Sequence, residues 1–127
     1  MDDRATLNRH LFQAVRDDDL HRVDKLLQTG ADIEATEEEA STPLHVAAVL
    51  GRSAMVRHLV ARGANINAAN ARGGTTLTMA RTAYTLAMRT GHKQRAFELL
   101  ELVQWLRQQG AADAPGTEPR KWWQLWK

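Results

Sequence analysis

The stretch Thr42-Pro43-Leu44-His45-Val46-Ala47-Ala48 decides the fold. Thr42 is suited to a helix N-cap, and Pro43 follows at the first helical position, where its missing N–H group costs nothing. The two alanines that close the stretch are small enough for a second helix to approach closely. Gly51 then supplies a residue that ends the helix and turns the chain. The stretch therefore predicts a short helix that turns back into another helix.

The same pattern recurs along the chain. Gly30-Ala31-Asp32-Ile33 returns 33 residues later as Gly63-Ala64-Asn65-Ile66, and Gly110-Ala111-Ala112 repeats its start after a further 47 residues. Apolar residues spaced three and four apart precede each glycine, as on one buried helix face: Val23, Leu26 and Leu27; Val56, Leu59 and Val60; Leu99, Leu100, Val103 and Leu106. Such helix pairs cannot bury their apolar faces alone and must stack on one another. We therefore expect an all-α, helical-repeat solenoid with short extended loops.

The stretch at 42–48, followed by Gly51, a helix and Gly63-Ala64-Asn65-Ile66-Asn67-Ala68, resembles the ankyrin repeat. The resemblance gives a repeat domain over 1–112, with repeats at about 7–32, 40–65 and 73–112, and leaves 113–127 as a linker and a tryptophan-rich tail. The first repeat has Arg9 and Asp18 where threonine and glycine would stand, which suits an N-terminal capping repeat. The resemblance implies a domain that binds another protein.

The third repeat is longer than the second. Its first segment, from Thr75 to Gly91, spans 16 residues where the segment from Thr42 to Gly51 spans 9, and its second segment is also seven residues longer than its counterpart. Seven residues are nearly two helical turns, so both additions keep the buried face in phase to within about 20°. Both intervals therefore fit helices that are two turns longer.

We expect these longer helices to protrude as a hairpin with Thr90-Gly91-His92 at its tip. The alternative is a seven-residue loop around 73–79, with Thr82 as the true helix cap. Gly73 and Thr75 stand at the loop positions that the repeat predicts, which favours the longer helices.

The net charge of +2 conceals a strong asymmetry. Residues 1–40 hold 5 basic and 11 acidic side chains, whereas residues 41–127 hold 12 basic and 4 acidic ones. No acidic residue lies between Glu39 and Glu98. The basic region 41–97 fits a solvated face, because several of its arginines fall on the second helices of the repeats. As a binding region it fits an acidic surface on a partner protein better than nucleic acid, because the chain carries no recognised nucleic-acid-binding module.

Enzyme and metal chemistry are not indicated. The chain has no cysteine, its five histidines lack the His-x3-His spacing of zinc sites, and no glycine-rich phosphate loop is present. We expect no catalytic residue, metal site or cofactor, and His45 to bond the backbone of the neighbouring loop. The charged N-terminus and the lack of a long apolar run indicate a cytoplasmic protein without a membrane segment.

The resemblance also locates a candidate binding surface. Ankyrin-like loops project as fingers, and their tips form a concave face together with the first helix of each repeat. On this chain the face includes Arg16, Asp17, Glu37, Glu38, Glu39, Ser41, Val49, Leu50, Asn70, Ala71, Arg72 and Gly74. Val49 and Leu50 are apolar at an expected exposed helix end, as in an interface core. We expect a stoichiometric binder such as an inhibitor, an immunity-type protein or an adaptor.

The tail forms a second candidate. It carries Trp122, Trp123 and Trp126 beyond a linker at 113–119. The final helix holds Phe97, Leu102 and Trp105 beyond the stripe that its own repeat buries, and we expect the tail to cover them as a C-terminal cap. The alternatives are a partner-binding motif with tryptophan anchors and a Trp/Lys anchor at a membrane surface.

Deleting residues 120–127 distinguishes these functions. If the tail is a cap, we expect the melting temperature to fall by several degrees. An unchanged melt with lost partner binding indicates the partner motif instead, and liposome flotation tests the membrane anchor. Tryptophan fluorescence that shows fully solvated tail rings in the free protein contradicts capping.

Overall fold

Six α-helices follow one another in residues 3–111, the part of the chain that the computed structural model describes, and no strand occurs there. The helices are α1 (Arg4–Arg16), α2 (Leu20–Thr29), α3 (Pro43–Val49), α4 (Ser53–Ala61), α5 (Thr76–Arg89) and α6 (Lys93–Gln108). A single 3-10 turn, Glu38–Ala40, precedes α3. The all-α fold predicted from the sequence is confirmed.

The helices pair along the chain and the pairs stack side by side. Each of α1, α3 and α5 packs against the helix that follows it, and α3 also contacts both α1 and α5. The core between them is apolar and closed, with Leu11, Leu44, Leu59, Leu99 and Leu106 at or near zero exposure. Fully buried alanines in the first helices keep the layers close: Ala14, Ala47, Ala48 and Ala80.

A capping box fixes the start of α3. The Thr42 hydroxyl accepts from the His45 N–H at 3.3 Å, and the Thr42 N–H donates to Nδ1 of His45 at 3.0 Å. Because Nδ1 is an acceptor, Nε2 carries the proton and donates to the Ala68 carbonyl at 2.8 Å. The predicted bond from His45 to the neighbouring loop is therefore confirmed. One side chain joins the helix start to the loop of the next repeat.

This network makes stability depend on pH. Burial lowers the pKa of His45 below its ordinary value of 6.5, although its hydrogen bonds to the loop backbone act in the opposite direction. The unfolded chain thus binds a proton near pH 6.5 that the folded chain binds only at lower pH. The stability that depends on a neutral His45 is fully present above pH 6.5, and it is lost as the pH falls below that value.

We expect the free energy of unfolding to decrease between pH 7.5 and pH 5, measured by urea denaturation at each pH. A His45→Gln variant is less stable at pH 7.5 but loses this part of the slope. His21→Gln, at an exposed position on α2, is the matched control and keeps the wild-type slope. If the free energy of unfolding falls equally with pH in the wild type and in both variants, His45 is not the source of this pH dependence.

The longer third pair is also confirmed. Helix α5 has 14 residues where α3 has 7, and α6 has 16 where α4 has 9. Thr75 is the N-cap of α5 and accepts from the Thr78 N–H, whereas Thr82 lies inside the helix and donates to the Thr78 carbonyl at 2.9 Å. The loop alternative with Thr82 as cap is therefore wrong. Seven extra residues extend each helix by roughly 10 Å.

The hairpin rises past the turn between α3 and α4, and close contacts fix it there. Nη2 of Arg95 donates a hydrogen bond to the Leu50 carbonyl at 2.6 Å. This bond satisfies a backbone acceptor at the end of α3. Gly51 has φ +71°, and a Cβ at this position would lie 2.9 Å from Nη2 of Arg95 and 3.4 Å from Leu99. The positive φ therefore favours glycine in this turn, and the absence of a Cβ leaves room for the Arg95 guanidinium.

The outer side of α6 differs from the prediction. Leu102 is fully buried, because it lies one turn from Leu99 and from Leu106 on the face turned into the core. Leu100, predicted to be buried, is 37% exposed, whereas Phe97 is 61% exposed as predicted. Trp105 is half-buried against α4, with the Arg57 guanidinium 5.3 Å from its ring centre. Of the three residues predicted to lie under the tail, only Phe97 is largely exposed, and the partly exposed Leu100 lies on the same helix.

Leu59 tests how cooperative the stack is. It is fully buried on α4 in the middle pair, so we expect Leu59→Ala to lower the free energy of unfolding by roughly 2–5 kcal/mol in urea titrations. Leu100→Ala, at its partly exposed site, is the matched control and costs much less. Because the middle pair contacts both neighbours, we expect unfolding in a single step. A biphasic transition in the wild-type protein contradicts this.

Candidate protein-binding surface

The predicted binding residues fall on two loops and on the turn ends of two helices. We call residues 31–41 the first finger and residues 64–74 the second finger. Arg16 ends α1 and Asp17 caps it, while Val49 ends α3 and Leu50 caps it. The predicted tryptophans of the tail, Trp122, Trp123 and Trp126, lie outside the described residues.

One ion pair joins α1 to the first finger, and a second ion pair joins the first finger to the second. The Arg16 guanidinium pairs with Glu37 of the first finger, and Nη2 of Arg72 in the second finger lies 2.7 Å from Oε1 of Glu39. The Ala71 N–H also donates to the Glu39 carbonyl at 2.7 Å. Four of the predicted residues therefore form two ion pairs, which neutralise two of the three carboxylates of the acidic run within the molecule.

Exposed ion pairs of this kind are worth little individually, about 0–1 kcal/mol each. Their geometric effect is larger, because they connect loops of successive repeats. Within the described residues Glu38 has no such ion pair, and its side chain is exposed. Glu38 is therefore the residue of the acidic run whose carboxylate is exposed and available to a partner.

The finger backbones depend on local polar contacts. Asn70 accepts through Oδ1 from the Arg72 N–H at 3.0 Å and from the Gly74 N–H at 2.9 Å, which folds the tip of the second finger. The Ser41 carbonyl accepts from the Glu37 N–H at 3.0 Å and closes the first finger. Asn70 and Ser41 thus shape the fingers through hydrogen bonds within this chain.

Two of the predicted surface positions are corrected. Gly74 is buried, with the Met79 methyl group 2.6 Å from where a Cβ would lie, so it is not the exposed position that was predicted. Leu50 is only half-exposed, because it lies in the turn that Arg95 covers. The exposed apolar residue at this end of α3 is Val49, which is 46% exposed.

Val49 opens into a groove that the sequence did not reveal. The longer hairpin stands beside the end of α3 and leaves a step between them, with a cavity of about 320 Å³. We call this cavity the step groove. It is lined by Val49 from α3, by Ala83, Leu86 and Ala87 from α5, and by Thr90, His92 and Arg95 around the hairpin turn.

Leu86 is the functional candidate that sequence reasoning missed. It is 59% exposed, more than Val49, and it lies in the part of α5 added by the lengthening. The sequence did contain a signal for this exposure, because α3 is seven residues long and α5 is fourteen. The second half of α5 therefore extends beyond the end of α3. An apolar side chain on the added turns therefore has no counterpart on α3 to cover it.

The convex side carries a polar cluster of another kind. Nε2 of His58 and Nε of Arg62 lie 2.7 Å and 2.9 Å from the same Oδ1 of Asp24, so α4 is tied to α2. Partial burial raises the pKa of Asp24, but the hydrogen bonds and charges of His58 and Arg62 outweigh it, and the net pKa is lowered. These groups are engaged with each other in a contact between repeats.

Two further findings concern metal ions and membranes. No group of three or more histidine or carboxylate side chains in residues 3–111 is placed to hold a metal ion. Within the same residues, no helix is both long enough and apolar enough to cross a bilayer.

Comparison with known proteins agrees with this architecture. A family model described as ankyrin repeats, in three copies, matches residues 11–114. The chain therefore belongs to the ankyrin repeat family. Ankyrin repeats generally serve as protein–protein interaction modules and typically carry no catalytic activity.

Two curated proteins share part of the sequence. An ARF GTPase-activating protein Git of Drosophila melanogaster is 38% identical over 76 residues, which are 59% of this chain and 10% of that protein. A homolog of transient receptor potential cation channel subfamily A member 1 from Caenorhabditis elegans is 33% identical over 92 residues, 72% of this chain and 7% of that protein. The chain thus spans a tenth or less of the length of these relatives.

Proposed function

We propose that this chain binds another protein stoichiometrically, as an inhibitor, an immunity-type protein or an adaptor. The observation that carries the proposal is the exposure of Val49 at the end of a helix that is otherwise almost wholly buried. An apolar group with a charged border is the anatomy of an interface core. His92 and Arg95, which line the same cavity as Val49, supply a basic border there. Glu38 and the paired charges of the two fingers add charge at the other end of α3.

The relatives add no more specific role. Their GTPase-activating and channel functions belong to proteins of which the matched region is a tenth or less. The proposal therefore rests on the inner surface of this chain, on Val49 and on the fingers.

The same structure weakens the alternative of nucleic acid binding through the basic region 41–97. Several of its guanidinium groups already have partners within the molecule: Arg57 covers the Trp105 ring, Arg62 pairs with Asp24, and Arg72 pairs with Glu39. The alternative of membrane attachment depends on the tail, which lies outside the described residues.

An affinity experiment tests the proposal. The full chain, immobilised, is used to capture proteins from an extract of its source cells, and a Val49→Ala/Glu38→Lys variant is used in parallel with quantitative mass spectrometry. We expect a protein retained by the wild type to be lost by the variant. The variant spares Glu37 and Glu39, because they hold the fingers together.

A matched control uses the outer side of α6. Phe97→Ala/Glu101→Lys also truncates one exposed apolar residue and reverses one exposed charge, but on a different helix. We expect this control to retain the partner. If the Val49 variant melts like the wild type and retains every protein that the wild type retains, the proposed binding surface is wrong.

A further inference from the structure

We propose that the step groove receives an acidic, amphipathic segment of the partner, which inserts an apolar side chain between Val49 and Leu86. This inference rests on the proposed protein-binding function and adds the chemistry of the segment that is bound. The groove exists because α5 and α6 exceed α3 and α4 by seven residues each. It is therefore a feature of this chain's lengthened repeat.

The apolar part of the groove calls for an apolar ligand. Val49 is 46% exposed and Leu86 is 59% exposed, and the alanines between them keep the cavity open. A volume of about 320 Å³ lies at the small end of the range for ligand pockets. One or two inserted side chains fit this space better than a large ligand does.

The charged rim calls for carboxylates. The ionisable side chains that line the groove, His92 and Arg95, are both basic, and Arg89 follows on the same helix as Leu86. Arg95 is held in place by the neutral Leu50 carbonyl, which leaves its positive charge uncompensated. Glu98, one turn after Arg95 on α6, lines an adjoining cavity with Arg95 and His92, but no ion pair joins it to Arg95 in the described residues. The lining of the step groove itself contains no acidic side chain, so carboxylates of a partner complement its charge there.

Two other occupants fit less well. The chain's own tail carries Arg120, Lys121 and Lys127, and its charge has the same sign as the rim. A nucleic acid would match the charge, but the groove walls are aliphatic and carry no Phe, Tyr or Trp ring for base stacking, and the one imidazole in the lining, His92, has its Nδ1 2.7 Å from the Thr90 hydroxyl. An acidic protein segment satisfies both the apolar walls and the rim.

Peptide selection tests the inference without knowledge of the natural partner. A display library of random short peptides is selected on the full chain, and the most enriched peptide is synthesised with a fluorescent label for anisotropy titration. We expect enriched sequences that combine Asp or Glu with large apolar residues. Binding should weaken as salt is raised, because the rim contributes screened charge.

Two pairs of variants then locate the bound peptide. We expect Leu86→Ala and Arg95→Gln each to weaken binding about tenfold or more, as for interface anchors. Met88→Ala, which truncates a residue of similar exposure on the same helix, and Arg107→Gln, on the same helix as Arg95, are the matched controls and should bind like the wild type. Leu86 makes no side-chain hydrogen bond, so its variant keeps the test valid even if Arg95→Gln loosens the hairpin.

Several outcomes overturn the inference. They are enrichment of basic or uncharged peptides, no enrichment, wild-type binding by Leu86→Ala, and displacement of the peptide by a single-stranded DNA oligonucleotide at equal concentration. The last outcome indicates nucleic acid instead. If the Val49→Ala/Glu38→Lys variant loses its partner while Leu86→Ala retains it and selection fails, the proposed function survives without this inference. If the Val49→Ala/Glu38→Lys variant and Leu86→Ala both retain every protein that the wild type retains and no peptide is enriched, both proposals are wrong.

Discussion

The rest of the structure depends on the burial of α3 between α1 and α5. Six of its seven residues are buried, and the helix contacts both neighbours as well as its own partner α4. The alanines on α3 permit this close approach, and the capping box at Thr42 fixes where the helix begins. Helix α3 is short and enclosed on both sides. The longer α5–α6 hairpin therefore extends beyond its C-terminal end.

The hairpin keeps its place because its added turns remain in phase with the original ones. Ala83 and Ala87 continue the buried face of α5, and Ala96 and Leu99 do the same on α6. Arg95 then meets the end of α3 beside Gly51, where the absence of a side chain leaves room for the guanidinium. A longer helix pair thus adds a wall beside the stack without disturbing the core below it.

Much of this was predictable from local chemistry, and the misses share one cause. Thr42, Thr75 and the seven-residue increments follow from capping and helix phase, which are properties of the sequence itself. The exchange of Leu100 and Leu102 between surface and core was not predictable, because α6 is apolar on more than one side and its neighbours choose the buried face. Likewise, the pairing of the acidic finger depends on where other loops lie.

The distribution of charge follows from the same geometry. Within the fingers the acidic run lies next to Arg16 and Arg72, so its field is largely cancelled close to its source. Around the hairpin turn, the step groove has no carboxylate in its lining, Glu98 forms no ion pair with Arg95 in the described residues, and Arg95 is held by a neutral carbonyl. A protein with a small net charge therefore presents uncompensated positive charge at one place, beside its exposed aliphatic groove. There, an apolar anchor and a carboxylate on one segment would each find a partner, and desolvation by the first would strengthen the attraction of the second.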